Sequence, residues 1–117
     1  MPKQTSYTKG LVAEKMSAMF LRLKGYRVLE ARYKTKFGEI DLIVKKGKTI
    51  AFVEVKARQD KAKALEAISQ KAQKRIMNAA LMYIAEHPEY VDFEMRFDVM
   101  SVAPGLLPQH HQNMWHN

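Results

Sequence analysis

The sequence predicts an α/β domain of order α-β-β-β-α-β, with a mixed central sheet and a helix on each face. Three observations predict it. Thr8 to Lys24 carries apolar residues at helical period, and two apolar runs, Glu39 to Val44 and Thr49 to Ala57, flank a short basic turn. A long helical stretch, Lys61 to Glu86, then separates the second run from another strand. Strand, helix and strand in succession imply a right-handed crossover and a parallel pair. A chain of 117 residues suits one domain with one core.

In the first helix, Val12, Met16, Met19, Phe20 and Leu23 form the expected buried stripe, and Gly25 is the expected C-cap. A thinner stripe runs Leu11, Glu14, Ala18, Leu21, with Glu14 its only charge. That carboxylate either turns against the protein or stays in water beside Lys15. Tyr26 to Tyr33 alternates like a half-buried first strand. Lys46-Gly47 is the expected hairpin turn, with Gly free to take positive φ. In the long helix, Leu65, Ile68, Ala72, Ile76, Ala79 and Tyr83 recur every three or four residues, and His87-Pro88 ends it. Phe93 to Val102 is the fourth strand, with Phe93, Met95, Phe97 and Val99 on one face and Arg96 with Asp98, a structural pair, on the other. The domain is expected over residues 1–103. Residues 104–117 read as a flexible C-terminal tail in which His110, His111 and His116 are solvated.

Composition narrows the function. The chain has no cysteine, so disulfides and thiolate zinc sites are excluded. Its N-terminus lacks the apolar segment of a signal peptide, and Ala79 to Ala85, the longest apolar run, is too short to span a bilayer. These features predict a cytoplasmic protein without membrane contact. A net charge of +8 points to a polyanionic partner, of which nucleic acid is the commonest.

The chemistry concentrates in Gly38 to Arg58. Glu39, Asp41, Glu54 and Lys56 interrupt runs that a central strand would fill with Val, Ile and Leu. A charge embedded there costs several kcal/mol, on the order of 2–7, unless it is paired or holds a metal. Period-two alternation puts Glu39 with Asp41, and Glu54 with Lys56, on shared faces. With Lys46-Gly47 as a two-residue turn, Asp41 lies opposite Phe52 and Glu39 opposite Glu54. Asp41 and Glu54 then have Cβ atoms about 7 Å apart, close enough to share a divalent ion. Such an ion polarises a phosphodiester and lowers the pKa of an attacking water, and a lysine two residues on can orient that water or stabilise the phosphate. The alternative is a structural ion pair of Glu54 with Lys56 or Arg58.

Asp41 followed by Glu54-x-Lys56 across adjacent strands resembles the PD-(D/E)xK nuclease superfamily. Gly38 to Ile43 (GEIDLI), Phe52 to Arg58 (FVEVKAR) and Arg96 to Val99 (RFDV) resemble, more closely, the YraN-like family UPF0102, over residues 10–102. The superfamily's name-giving Pro is absent; Ile40 precedes Asp41. The resemblance implies a restriction-endonuclease-like three-layer fold, similar to Holliday-junction resolvases. It implies a metal-dependent endonuclease acting on DNA, including branched or recombination intermediates, with Mg²⁺ or Mn²⁺ as cofactor. Asp41, Glu54 and Lys56 would be catalytic, and Glu14, Asp41, Glu54 and the Val55 carbonyl would bind the metal. Glu39 and Lys71 would be accessory, with a solvated Lys71 the alternative. A homodimer follows from the resemblance to resolvases. Lys34, Lys36, Arg58, Lys61, Lys74 and Arg75 are expected to contact phosphates without reading sequence. Tyr33 and Phe37 are expected to pack rather than stack on bases. The rival reading is a non-catalytic nucleic-acid-binding module or adaptor that retains the fold.

Overall fold

The computed structural model describes residues 6–57 and 61–116. Helix α1 spans Ser6–Leu23, followed by strands β1 (Arg27–Thr35), β2 (Gly38–Lys46) and β3 (Thr49–Lys56). Helices α2 (Lys61–Glu66) and α3 (Gln70–Glu86) and a 3₁₀ turn (Pro88–Tyr90) lead to β4 (Glu94–Ser101) and β5 (Gln109–Trp115). The strands form one sheet in chain order, β1-β2-β3-β4-β5. All neighbours are antiparallel except β3 and β4, which the α2–α3 crossover makes parallel. The fold is the expected restriction-endonuclease-like three-layer α/β arrangement.

The layers follow from which residues each sheet face offers. Ile43, Ile50, Phe52, Phe97 and Val99 pack with Ile76, Ala79, Ala80 and Tyr83 of α3. Leu42, Val44, Ala51, Val53 and Met100 pack with Ala18 and Leu21 of α1. Helix α1 stops at Gly25, whose φ of 96° suits a residue without Cβ. Gly25 N donates to Arg22 O (3.0 Å) and Tyr26 N to Leu21 O (3.0 Å), the two bonds of a Schellman end, with Leu21 and Tyr26 both buried.

Four expectations about elements are corrected. First, α1 turns inward the side that carries Ala18 and Leu21 of its thinner stripe, with Leu11 and Glu14 half-buried. Ala13, Ser17, Ala18 and Leu21 are buried, whereas Val12, Met16, Met19 and Leu23 are exposed and only Phe20 of the richer stripe is partly covered. Small side chains on the inner face let the helix lie close to the sheet. Second, the long helix is two. Ile68 turns into the core, and Ser69 caps α3 by accepting from Ala72 N (3.0 Å). The apolar face expected for the single helix nevertheless survives the break: Ile68, Ile76, Ala79 and Tyr83 are buried, and Leu65 and Ala72 pack against them.

Third, the stretch after Pro104 is not simply a tail. It contains β5, which pairs with β4, and Trp115 stacks on Phe97 with ring centroids 5.5 Å apart. Its first two histidines are engaged: His110 Nε2 lies 2.7 Å from Asp98 Oδ2, and His111 Nε2 lies 2.9 Å from Ser101 Oγ. His116 is exposed. Fourth, the period-two alternation expected of the hairpin strands, which would put Ile40 on one face with Leu42 and Val44, fails at Ile40. Ile40 and Ile43, three residues apart, join the same core cluster, so the alternation of β2 breaks beside Asp41.

Arg96 and Asp98 do pair. Arg96 Nε and Nη2 reach the Asp98 carboxylate at 2.9 Å each, and the Arg96 guanidinium also donates to the Tyr26 hydroxyl. Asn113 N adds a bond to Asp98 Oδ1 (3.0 Å), and Lys24 Nζ reaches His110 Nδ1 (2.7 Å). Hydrogen bonds from His110 and Arg96 hold the fully buried Asp98 carboxyl below its ordinary pKa, against the opposing effect of burial.

Candidate active site

The hairpin register differs from the expected one by two residues. Lys46 pairs with Thr49 and Leu42 with Val53, so the turn is Gly47-Lys48. Gly47 stands first in it with a φ of 58°, which fits a tight hairpin. The two-residue slip by itself preserves the faces, and only the break at Ile40 departs from them. It also brings Asp41, next to the last paired residue Leu42, beside Glu54, which follows Val53. At that level the ladder gives way to side-chain bonds: Val55 N donates to Asp41 Oδ2 (2.8 Å), and Asp41 N donates to Glu54 Oε1 (3.4 Å). Asp41 and Glu54 are therefore direct neighbours. Val55 meets the site through its N–H.

Glu54 is only 9% exposed. Burial, and then the Asp41 charge, push its carboxyl up from 4.5 to about 8, with Lys56 pulling the other way. Burial also raises Asp41, opposed by the Val55 bond and by Lys56. Glu14 reaches the same neighbourhood from α1; burial and then Asp41 raise its pKa. The inward reading of Glu14 is the one the structure adopts.

One residue at this site had no counterpart among the expected ones. Arg32 lies on β1 between the pairs Ala31–Leu42 and Tyr33–Ile40, hence alongside Asp41. Its Nε is 3.6 Å from Glu39 Oε1 and 3.9 Å from Glu14 Oε2. Its φ of 57° is unusual for a non-glycine strand residue and turns it out of the regular pleat. Finding it from sequence would require the β1–β2 register, which a bulge between Val28 and Glu30 shifts.

A buried and a half-buried carboxylate side by side, both with raised pKa values, suit a hard divalent cation. Mg²⁺ is commonly held by one or two carboxylates with waters and substrate phosphates. Among the described residues no group of three or more His, Cys, Asp or Glu is arranged to hold a metal. Glu14 and Glu39 instead face Arg32.

The basic residues divide into two sets. Lys34 pairs with Glu39 and Thr35 with Gly38, so Lys34 and Lys36 lie at the Asp41 end of the sheet. The Cβ of Arg75 packs near Gly38 at that same end. Lys45, Lys46 and Lys48 sit at the other end, Lys45 and Lys46 about 14 and about 17 Å from Asp41 along the strand and Lys48 in the turn beyond. There Lys46 donates to Lys24 O, and Lys45 and Lys48 lie over the Phe93 ring. Lys74 is exposed on α3. Lys71 is exposed on its first turn, and no hydrogen bond or ion pair joins it to the carboxylates among the described residues. Arg58 lies outside the described residues, and Lys61 begins α2. Tyr33 packs edge-on against Tyr83 and donates to Glu86 (3.0 Å), as a packing role requires.

The family model for UPF0102, described as an uncharacterised protein family, matches residues 13–102. The chain belongs to UPF0102. A UPF0102 protein of Nitrobacter winogradskyi is 46% identical over 105 residues, covering 90% of this chain and 89% of the relative. One from Bradyrhizobium diazoefficiens is 46% identical over 105 residues, covering 90% and 79%. One from Chelativorans is 44% identical over 113 residues, covering 97% and 91%. The UPF0102 match ends at residue 102, so Asp41, Glu54, Lys56 and Arg32 fall inside it and β5 falls outside. No helix among the described residues is long and apolar enough to cross a membrane.

Proposed function

We propose that this UPF0102 protein is a metal-dependent endonuclease that hydrolyses DNA phosphodiester bonds, branched or recombination intermediates among them. The observation that carries the reading is the meeting of the buried Glu54 carboxylate with the half-buried Asp41, whose N–H it accepts from, with the Lys56 charge acting on both. Like charges packed so closely are relieved by a bound cation or by a proton on one of them, and a cation allows both carboxylates to stay ionised.

Asp41 and Glu54, with the Val55 carbonyl, would hold Mg²⁺ or Mn²⁺. When bound, the cation supplies positive charge to the scissile phosphate and acidifies a water. The protein's own groups do the rest. The Val55 N–H fixes the Asp41 carboxylate so that it need not reorganise. Lys56 orients the attacking water or stabilises the charge developing on the phosphate. Arg32 neutralises Glu14 and Glu39, which would otherwise repel an approaching phosphate. Lys34, Lys36 and Arg75 lie where the substrate backbone would run, and contacts of that kind are strongly salt-dependent.

A second reading, a nucleic-acid-binding module or adaptor without catalysis, is favoured by one observation. Glu14, the third carboxylate, is turned to Arg32 rather than gathered with Asp41 and Glu54 into a three-ligand cluster. A cleavage assay separates the two. The substrates are a four-way junction, a flap, single-stranded DNA, duplex DNA and RNA, at low salt with Mg²⁺ or Mn²⁺. Cutting that needs the cation and disappears in Asp41→Asn and Lys56→Ala is the expected result. Nucleic-acid binding without cutting, unchanged in both variants, would establish the module.

A further inference from the structure

The richer apolar stripe of α1 faces away from the protein. Val12, Met16, Met19 and Leu23 are 43%, 40%, 64% and 83% exposed. Their spacing is four, three, four, the repeat of the apolar seam between paired helices. A groove of about 320 Å³ opens beside the stripe, walled by Val12 and Met16 and by Ala57, Val102, Ala103 and Pro104. A contiguous apolar surface of this kind marks an interaction site. Methionine suits such a surface because its unbranched thioether adapts to the partner.

Charge defines what fits. Lys15 and Arg22, both exposed, flank the stripe seven residues apart, where paired helices exchange charges. Glu14 is the only acidic residue in α1, and it is turned to Arg32. A second copy of α1 would therefore meet this face with basic or apolar flanks in either direction, on a chain already carrying +8. The groove is concave, which suits an inserted side chain better than a flat lipid surface. We propose that this face docks one amphipathic α-helix of a partner protein, apolar at the same four-three-four spacing and flanked by Asp or Glu. Ala57, a wall of the groove, directly follows Lys56, so the docked helix would lie near the end of β3 that carries the candidate active-site lysine. The inference stands independently of the nuclease reading.

Two synthetic helical peptides test it. Both carry Leu at the four-three-four positions; one has Glu at the flanking positions and the other Lys. Fluorescence anisotropy with the full chain should show binding of the Glu peptide, at least tenfold weaker binding of the Lys peptide, and at least a tenfold loss in Met16→Glu and in Met19→Glu. Both substitutions are at exposed positions, so the circular-dichroism melt should not change. Failure of the Glu peptide to bind, equal binding of the two peptides, or binding indifferent to Met16→Glu overturns the proposal. Sedimentation should find no dimer that Met16→Glu abolishes; such a dimer would make a second copy the occupant. Flotation with phosphatidylglycerol vesicles that Met16→Glu abolishes would make the occupant a membrane surface, and either result refutes the partner helix.

Discussion

Replacing Glu54 by Gln removes one charge from the hairpin and keeps the side chain's shape. The carboxyl titrates near 4.5 when the chain is unfolded and near 8 when it is folded. The folded state therefore holds a proton that the unfolded state has lost across the window from about pH 4.5 to about pH 8, and stability falls as pH rises through it. Between pH 5 and pH 8 the difference amounts to roughly 3 kcal/mol. For a domain of this size that is roughly 10 °C in melting temperature. Thermal melts in a chelating buffer, run at intervals from pH 5 to pH 8, measure it. The wild type should lose stability relative to Glu54→Gln as pH rises. Added Mg²⁺, which favours the ionised carboxylate, should restore the wild type at pH 8 far more than at pH 5 and leave the variant little changed. Parallel pH profiles for the two proteins would refute the reasoning, because they would mean that Glu54 is neither desolvated nor pressed against Asp41.

Arg32→Asn separates charge from backbone, since Asn tolerates the left-handed conformation of residue 32. Loss of the guanidinium should destabilise the protein by up to about 1 kcal/mol in low-salt urea melts, and the loss should shrink as salt rises. Ser17 Oγ is buried with no hydrogen-bond partner among the described residues. Ser17→Ala should raise stability by about 1 kcal/mol, read as a higher urea midpoint at unchanged slope. If the protein binds DNA along the Asp41 end of the sheet, Lys36→Ala and Arg75→Ala should each reduce the slope of log affinity against log salt by about 1, and Lys46→Ala should leave it unchanged.

The hairpin chemistry was legible because charges inside Val- and Ile-rich strands stand out against their surroundings. The parity of the faces was legible from Leu42 to Lys46, since a two-residue slip preserves it, but not at Ile40, where the alternation breaks. The register itself was not. Lys46-Gly47 and Gly47-Lys48 are equally good turns on paper, and the choice decides whether Asp41 meets Phe52 or Glu54. Arg32 was hidden for a different reason: its place depends on a strand pairing set by a bulge and on a local backbone conformation that arginine does not advertise. The two stripes of α1 show a further limit. Hydropathy ranked Met16 and Met19 above Ala13, Ser17 and Ala18, but close approach to the sheet needs small side chains, and the smaller face won. Strand β5, with the sequence QHHQNMW, has almost none of the β-branched residues that mark a strand. Tertiary bonds from His110, His111 and Asn113 hold it in place instead.

Those bonds alter what can safely be cut away. The family model closes at residue 102, so a version trimmed to that boundary would keep β4 and discard β5, although the Chelativorans relative aligns over 97% of this chain and so into β5. It would lose the ring that covers Phe97 and two of the groups that surround the buried Asp98 carboxylate, and the hydrogen-bonding edge of Phe97 to Ser101 would stand open. An open edge of apolar strand is a template for pairing with other chains. The polar strand β5 thus covers the β4 edge that residues 13–102 alone would leave open.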